Sequence, residues 1–385
     1  MFKTSTFREQ RHWPSGTCPS DLQTVRLFFA PLQRNLNAGC IGEPTQARAT
    51  IATHVDQDSG VIIDDASGDE RFEGNGYLTE LARTQLLFPS DDFEDAAWTN
   101  SNVTVLASQT GVGGEASVAS KLTAGAANAT LINDLGVIGS AATNGVLWIE
   151  RVTGTGDIDL TLDGGSTWTT VAVTSTFTVF PIQQTLANPD FGIRIVTSGD
   201  EVLVQAAYVA AAGFATSVLP STSGTVVRNS DTLTWPTANN FNEAKGVIYC
   251  EVDFHDGNGG QEYVLQVDDT NNTNAHLIWK NSGATSRPGY FVAIGGTQAN
   301  IQAAGGADDM GDSTPKRIAA IYAADDFELV TSGQSRGTDT SGNLPSSLTA
   351  IRIGGGVALS LMSGHVRNVQ TFSERLTAFE AARIA

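Results

Sequence analysis

Basic residues are scarce in this chain of 385 residues: 22 Lys plus Arg stand against 41 Asp plus Glu, a formal net charge of −19, and no run concentrates the cations. A protein that neutralises nucleic-acid phosphates needs basic side chains gathered on one face, so that class is excluded. Long apolar runs are missing too. No run approaches the ~20 residues that span a bilayer, and the opening "MFKTSTFREQRHWPSGTCPSD" has no apolar core of the signal-peptide kind. The expectation is a protein made in the cytoplasm without export signal or membrane insertion. Cysteine is limited to Cys18, Cys40 and Cys250, with no CxxC, which argues against a zinc site and a dense disulfide framework. Cys18 and Cys40 either pair or stay free, free thiols being the cytosolic default. Cys250 shares the Ile248, Val252 and Phe254 side of an alternating strand and reads as a core thiol. His12, His54, His255, His276 and His365 are scattered, with no HxxxH, HExxH or GxSxG, and the glycine clusters lack a following GK[ST].

What is present is glycine, 40 residues of it, together with many Thr, Val, Ala and Asn, a composition of pleated strands broken by turns. The length is that of two or three compact units. Residues 1–83 read as an irregular leader with the strand-like "TVRLFFAPL" and "RATIATHV" and an acidic, turn-rich "DQDSGVIIDDASGDERFEGNGY". Such a leader buries too little apolar surface to stand alone and is expected to dock to a partner. Residues 84–222 carry strand candidates at 85–89, 102–107, 116–122, 129–135, 145–152, 158–162, 167–173, 177–184, 191–197 and 202–211, the spacing of a β-sandwich or jelly roll. A linker over 223–242, in the stretch "PSTSGTVVRNSDTLTWPTANNFNEAKG", leads to a second β series over 243–385 that ends in "RLTAFEAARIA". There Thr377 and Glu380 form a capping arrangement that predicts a short terminal helix. The fold class expected is all-β: two tandem β-sandwiches after an N-terminal docking segment.

Two stretches frame the first series. "RTQLLFPSDDFEDAAWTNSNVTV", through Arg83, Thr84, Leu86, Leu87, Ser90, Phe93 and Trp98, resembles a segment of tailed-phage virion proteins, R-T-N-L-L-x-x-S-x-x-F-x-x-x-x-W, with Gln85 in place of asparagine. In those proteins the segment opens a carbohydrate-binding-module-like jelly roll that closes on a motif similar to "FATSVLPSTSGTVVRNSDTLTW". The second series resembles a concanavalin A-like lectin/glucanase domain of the laminin-G type, through Gly364, Val366, Val369, Arg375, Leu376, Thr377 and Glu380. The resemblance implies a virion structural protein, a fibre, spike or head-decoration subunit that adheres to host-surface glycans. A purely architectural cement protein is the alternative, and a polysaccharide depolymerase the third reading. The implied partners are other virion proteins (capsid, portal or neck, tail), further copies of the chain in a homo-oligomer, with a trimer favoured, and host-surface polysaccharide.

Sugar rings stack on exposed aromatic faces, which makes Trp148, Trp168, Trp279 and Tyr290 the candidate carbohydrate-binding residues. Core packing competes, most strongly for Trp148 between Leu147 and Ile149, while Trp98 reads as a structural plug. Asp268, Asp269 and Asn271 in "VDDTNNTN", and Asp308, Asp309 and Asp312 in "GGADDMGDSTP", are loops in which calcium is possible, calcium being a hard cation that prefers such oxygens. A solvated hairpin turn has the same composition. Glu251 and Asp253 sit two apart on one strand face, as glucanase carboxylates do, but the third acid is missing or shifted to Asp256, so no enzyme is expected.

Overall fold

The computed structural model describes residues 24–28 (backbone only), 44–56, 61–255, 261–281, 286–303, 309–310, 314–357 and 361–377. Cys18, Cys40, Asp308, Asp312, Asp256 and the terminal helix expected after Thr377 lie outside them. Every described element is a strand, as the composition predicts. The chain divides into two compact units, one of Met1–Arg48, Gly68–Leu81 and Ser230–Ala385, the other of Ala49–Ser67 and Ala82–Asn229. It therefore passes between the units four times.

The unit containing residues 82–229 has two five-stranded sheets. One runs Thr178–Leu186, Ala141–Thr153, Glu201–Ala210, Ala119–Ala124, Val103–Gln109, and the other Thr169–Val171, Ile158–Thr161, Asp190–Ile195, Ala129–Asp134, Trp98–Ser101. Leu122, Leu147, Ile149, Val202 and Val204 from the first close on Leu131, Leu160, Phe191 and Ile193 from the second around a single core. The alternation that marked each strand in the sequence is the alternation that fills this core. The two framing motifs clasp one another. Arg83–Gln85 pairs with Val226–Arg228, Ser90 exchanges backbone bonds with Ser221 and Ala207, and its hydroxyl accepts from the Ser221 N–H at 2.8 Å. Gln85 is fully buried: its Nε2 donates to the carbonyls of Ala207 (3.1 Å) and Leu219 (3.2 Å), and its Oε1 accepts from the N–H of Val209 (2.8 Å). The departure from asparagine thus uses its extra methylene to reach across to the strand that precedes the closing motif. Trp98 packs on Phe93 at 5.0 Å and donates to the Pro89 carbonyl at 3.3 Å, the plug expected of it.

The other unit pairs an eight-stranded sheet, centred on Lys245–Phe254 and Gly364–Phe372, with a seven-stranded one in the order Thr45–Ala47, Thr232–Pro236, Ala350–Ile353, Glu262–Asp268, Asn274–Lys280, Pro288–Ile294, Thr297–Gln302. Ile248, Cys250, Val252 and Phe254 face Leu265, Val267, Ile278 and Val292 across its core, and burial pushes the Cys250 thiol pKa up, as befits a core thiol.

The division of the chain differs from the one drawn from composition. The leader is not a separate segment: Thr45–Ala47 pairs with Thr232–Pro236, Gly76–Thr79 pairs with Gly364–Phe372, and Tyr77 lies in the core. A leader hairpin, Ala52–Val55 with Ile62–Asp65, belongs to the other unit, where Val55 and Ile62 pack on Val146, Trp148 and Tyr208. Nor is 223–242 a linker, since it supplies the strands Val226–Arg228 and Thr232–Pro236 and the fully buried Trp235. Turn-forming residues concealed strands too short to show a period.

One buried ionic group ties these pieces together. Asp231 accepts from Arg48 Nη1 (2.9 Å), from Gln46 Nε2 (3.2 Å), from the Glu80 N–H (3.1 Å) and from Arg71 Nη2. Arg71 Nη1 donates to Glu80 at 2.7 Å. The set carries two positive and two negative charges, and the side chains of Asp231 and both arginines are 0% exposed. Burial alone would lower the Arg71 pKa, but Glu80 and Asp231 hold it above its ordinary value. Removing one partner leaves a buried charge uncompensated, so Asp231→Asn is expected to destabilise this unit by about 3–5 kcal/mol in urea unfolding. Glu374→Gln, which breaks an ion pair with Lys245 whose side chains are 46% and 52% exposed, is expected to change the same midpoint by less than about 1 kcal/mol.

Candidate functional site

In the seven-stranded sheet the register sets side chains in rows on the face turned away from the core. Tyr263 is opposite Trp279, Trp279 opposite Gly289, and Gly289 opposite Gln302. In the next row Gln266, Leu277, Phe291 and Asn300 follow one another. Tyr263, Trp279 and Phe291 are half-buried, whereas Asn300 and Gln302 are exposed. The missing side chain of Gly289 makes room for the indole: a Cβ there would stand 2.5 Å from Trp279 Cε2 and 2.6 Å from Nε1. The ring consequently lies on the neighbouring strand. Its Nε1–H has no acceptor among the described residues, and neither has Gln266 Nε2, whose Oε1 accepts from the Val357 N–H at 3.1 Å. The only arginine in these rows, Arg352, is committed to the buried Asp268 at 2.8 Å and 3.3 Å. These rows are therefore aromatic and amide-lined, and their arginine is paired.

A second platform of the same kind stands in the other unit. Trp168 follows a turn in which Asp163 accepts from Thr161 Oγ1 (2.8 Å), Thr167 Oγ1 (2.6 Å) and the Thr167 N–H (2.8 Å). Burial works against the Asp163 charge, but these donors and Gln184 bring its pKa down to about 2. Gly164 and Gly165 take φ of +67° and +90° in that turn, the left-handed region glycine enters without strain. Arg194 stacks on the half-buried indole at 4.6 Å from the ring centroid. The same guanidinium binds Asp159 Oδ2 at 2.9 Å and 2.6 Å, and Thr170 Oγ1 donates to Asp159 Oδ1 at 2.7 Å. Row partners Thr130 and Ser101 continue the surface across the sheet.

Of the four aromatic candidates, Trp168 and Trp279 present a face and the other two do not. Trp148 is 6% exposed and packs with Val146, Ala206 and Tyr208 beneath Val55 and Ile62. Tyr290 is 0% exposed and bonded to His276 Nδ1 at 2.7 Å. A ring without an open face stacks on nothing, so both are corrected to core residues. Their neighbours in sequence misled: Tyr290 sits one residue beyond Gly289, on the opposite side of its strand. Sequence reasoning missed Tyr263, Phe291, Asn300 and Gln302, whose signal was the period-two alternation beside Trp279.

The loop after Val267 serves as a turn. Asp268 accepts from Arg352 and from the Thr270 N–H at 2.6 Å, Asp269 from Asn274 Nδ2 at 2.8 Å, and Asn271 from the Thr273 N–H at 3.0 Å. Asp309 is the single described member of the second loop, and among the described residues no three His, Cys, Asp or Glu are placed to hold a metal. Glu251 accepts from Tyr249 Oη (2.8 Å), Arg367 Nε (2.8 Å) and Asn368 Nδ2 (2.7 Å). Burial pushes its pKa upward, but Asn368, Tyr249 and Arg367 outweigh this and hold it below the ordinary value. Such a carboxylate is fixed in its ionised form, the opposite of what a general acid needs. His255 Nε2 meets His365 Nδ1 at 3.0 Å, whose Nε2 meets Glu73 at 2.9 Å. Burial and then His365 bring His255 down to about 4, and burial brings His276 down to about 3.

No family model matches the chain, and no curated protein matches it. Among solved structures, it is similar to the CBM40 of Ruminococcus gnavus IT-sialidase bound to alpha2,6 sialyllactose, with 12% identity over 37% of this chain and 84% of that one and a TM-score of 0.32. It is similar also to domains LG4-5 of the mouse laminin alpha1 chain, with 13% identity over 69% and 93% and a TM-score of 0.26. A SAP-like pentraxin from Limulus polyphemus gives 12% identity over 36% and 68%, at a TM-score of 0.30. Likeness at these scores carries no inference, and the all-β architecture rests on the strand pairings.

The buried histidines make stability depend on pH. Because the folded pKa of His276 lies below its unfolded value of about 6.5, the unfolded chain binds the extra proton and stability falls as pH drops from about 6.5 towards 3. The advantage of the wild type over His276→Gln is expected to shrink by about 1.4 kcal/mol per pH unit below 6, measured by urea unfolding between pH 6.5 and 4.5.

Proposed function

We propose that this chain is a glycan-binding structural protein of a tailed-phage particle, a fibre, spike or head-decoration subunit that adheres to host-surface polysaccharide. The observation that carries the glycan reading is the two neighbouring rows that set the half-buried Tyr263, Trp279 and Phe291 beside the exposed Asn300 and Gln302 on one sheet face. Flat aromatic faces take the axial C–H faces of sugar rings, while amide side chains both donate to and accept from hydroxyls. The Trp168 platform repeats the combination with threonine and serine hydroxyls. The phage setting is supported by the framing motifs, whose residues Leu87, Ser90, Phe93 and Trp98 are all buried where the clasp closes. It stays a proposal, as does virion localisation. So does assembly as a trimer, whose repeated weak sites would raise apparent affinity by roughly 10²–10⁴.

A cement role without glycan binding is the rival reading, and a depolymerase is disfavoured by the commitment of Glu251 to three donors. For the full chain on a host-polysaccharide surface, Trp279→Ala and Trp168→Ala are each expected to weaken binding about tenfold. Gly289→Ala, which displaces the indole, is expected to act like Trp279→Ala, and Trp148→Phe to leave affinity unchanged. No binding by the wild type would favour the cement role, and equal binding by all four variants would count against these two rings as the binding site. Light scattering of the full chain tests the trimer, and a monomer at micromolar concentration would count against it.

A further inference from the structure

Both platforms carry an arginine that is already spent. Arg352 lies in the second row of the Trp279 platform and is held by Asp268, which is fully buried. Arg194 covers one face of Trp168 and is held by Asp159, itself 2% exposed. In each case a guanidinium that would otherwise bind a carboxylate or phosphate in bidentate fashion is matched to a carboxylate of the protein. Around Trp168 the surroundings add negative charge. Beside Trp168, Asp163 stays ionised at neutral pH, and the Asp190 carboxylate stands against the same turn, 2.9 Å from where a Cβ of Gly164 would be. Beside Trp279 stand Asn300, Gln302, Phe291 and Tyr263, and Arg287, two residues before Gly289, leaves its Nε without a partner among the described residues. The whole chain carries a net −19.

Resting on the glycan reading above, we infer that the Trp168 platform selects neutral glycans and rejects those bearing carboxylate, sulfate or phosphate groups. An acidic sugar laid on Trp168 meets Asp163 and Asp190, while the stacked Arg194 is already paired with Asp159. A neutral sugar brings only hydroxyls, which the exposed Thr170 and Ser101 satisfy. The paired arginines then act as rigid supports: Arg194 fixes the plane of the indole and offers its stem as apolar surface.

The test measures retention of the full chain carrying Trp279→Ala, which isolates the Trp168 platform, on neutral polymers (mannan, a mixed-linkage glucan, galactan) and acidic ones (alginate, polygalacturonate, polysialic acid), at 20 mM and 500 mM salt. Expected is binding to at least one neutral polymer that changes less than about twofold with salt, with acidic polymers about tenfold weaker or more. Asp159→Asn keeps the bond to Thr170 but frees Arg194, and is expected to gain acidic-polymer binding that 500 mM salt removes. Binding of that chain to acidic polymers in preference to neutral ones overturns the selectivity and leaves the glycan reading standing. Binding to neither class, by a chain whose urea unfolding is cooperative, overturns the glycan reading and this inference with it. The salt comparison on the Trp279→Ala chain decides the matter even if the further Asp159→Asn change does not fold.

Discussion

The arrangement of the chain depends on the carboxylate of Asp231. Each of the four passages between the units starts or ends within a few residues of a member of its buried group: Arg48 at the first, Arg71 near the second, Glu80 at the third and Asp231 at the fourth. The Gly68 N–H also donates to the Arg48 carbonyl at 3.0 Å, which closes the loop between the first two. Desolvating two guanidinium and two carboxylate groups costs several kcal/mol each, and mutual attraction offsets that only when hydrogen bonds are nearly complete. Here they are directional and shared, so the group favours one way of bringing four chain ends together. An apolar contact of similar size has no such register.

With those ends fixed, short segments become edge strands and the long strands can do the rest. Every functional candidate follows from the pleat: one side of Asn274–Lys280 sends Ile278 and Lys280 inward, so Trp279 goes outward. Whether an outward aromatic becomes a platform is then decided by its neighbours. Gly289 removes the obstacle beside Trp279, and the turn held by Asp163 with Gly165 does the same beside Trp168, where a Cβ would stand 2.8 Å from Cζ2. Trp148 also faces away from the main core of its unit, but the hairpin of Ala52–Val55 and Ile62–Asp65 covers it. An outward tryptophan is thus covered or left half-exposed according to whether a distant segment reaches it.

The long strands were legible in the sequence because they span six or more residues; 129–135, 177–184 and 202–211 match Ala129–Asp134, Thr178–Leu186 and Glu201–Ala210 closely. The core role of Cys250 was legible for the same reason. What stayed hidden was pairing between segments far apart in sequence. Nothing local tells that Thr45–Ala47 meets Thr232–Pro236, or that Arg48 and Asp231, separated by 183 residues, share a hydrogen bond. A composition rich in Gly, Asn and Pro reads as leader and linker until such partners are known. For the sites, aromatic identity was legible and burial was not, since Trp148 and Tyr290 carry the same local pattern as the two open rings.

The central claim is that Trp168 and Trp279 are the sugar-facing rings. Indole N–H resonances of the six tryptophans, assigned by single substitution in a proton–nitrogen spectrum of the full chain, report on it directly during titration with a neutral oligosaccharide. The signals of Trp168 and Trp279 should shift progressively while those of Trp98, Trp148 and Trp235 stay in place. Shifts confined to the buried tryptophans, or no shift at millimolar sugar, would contradict the account.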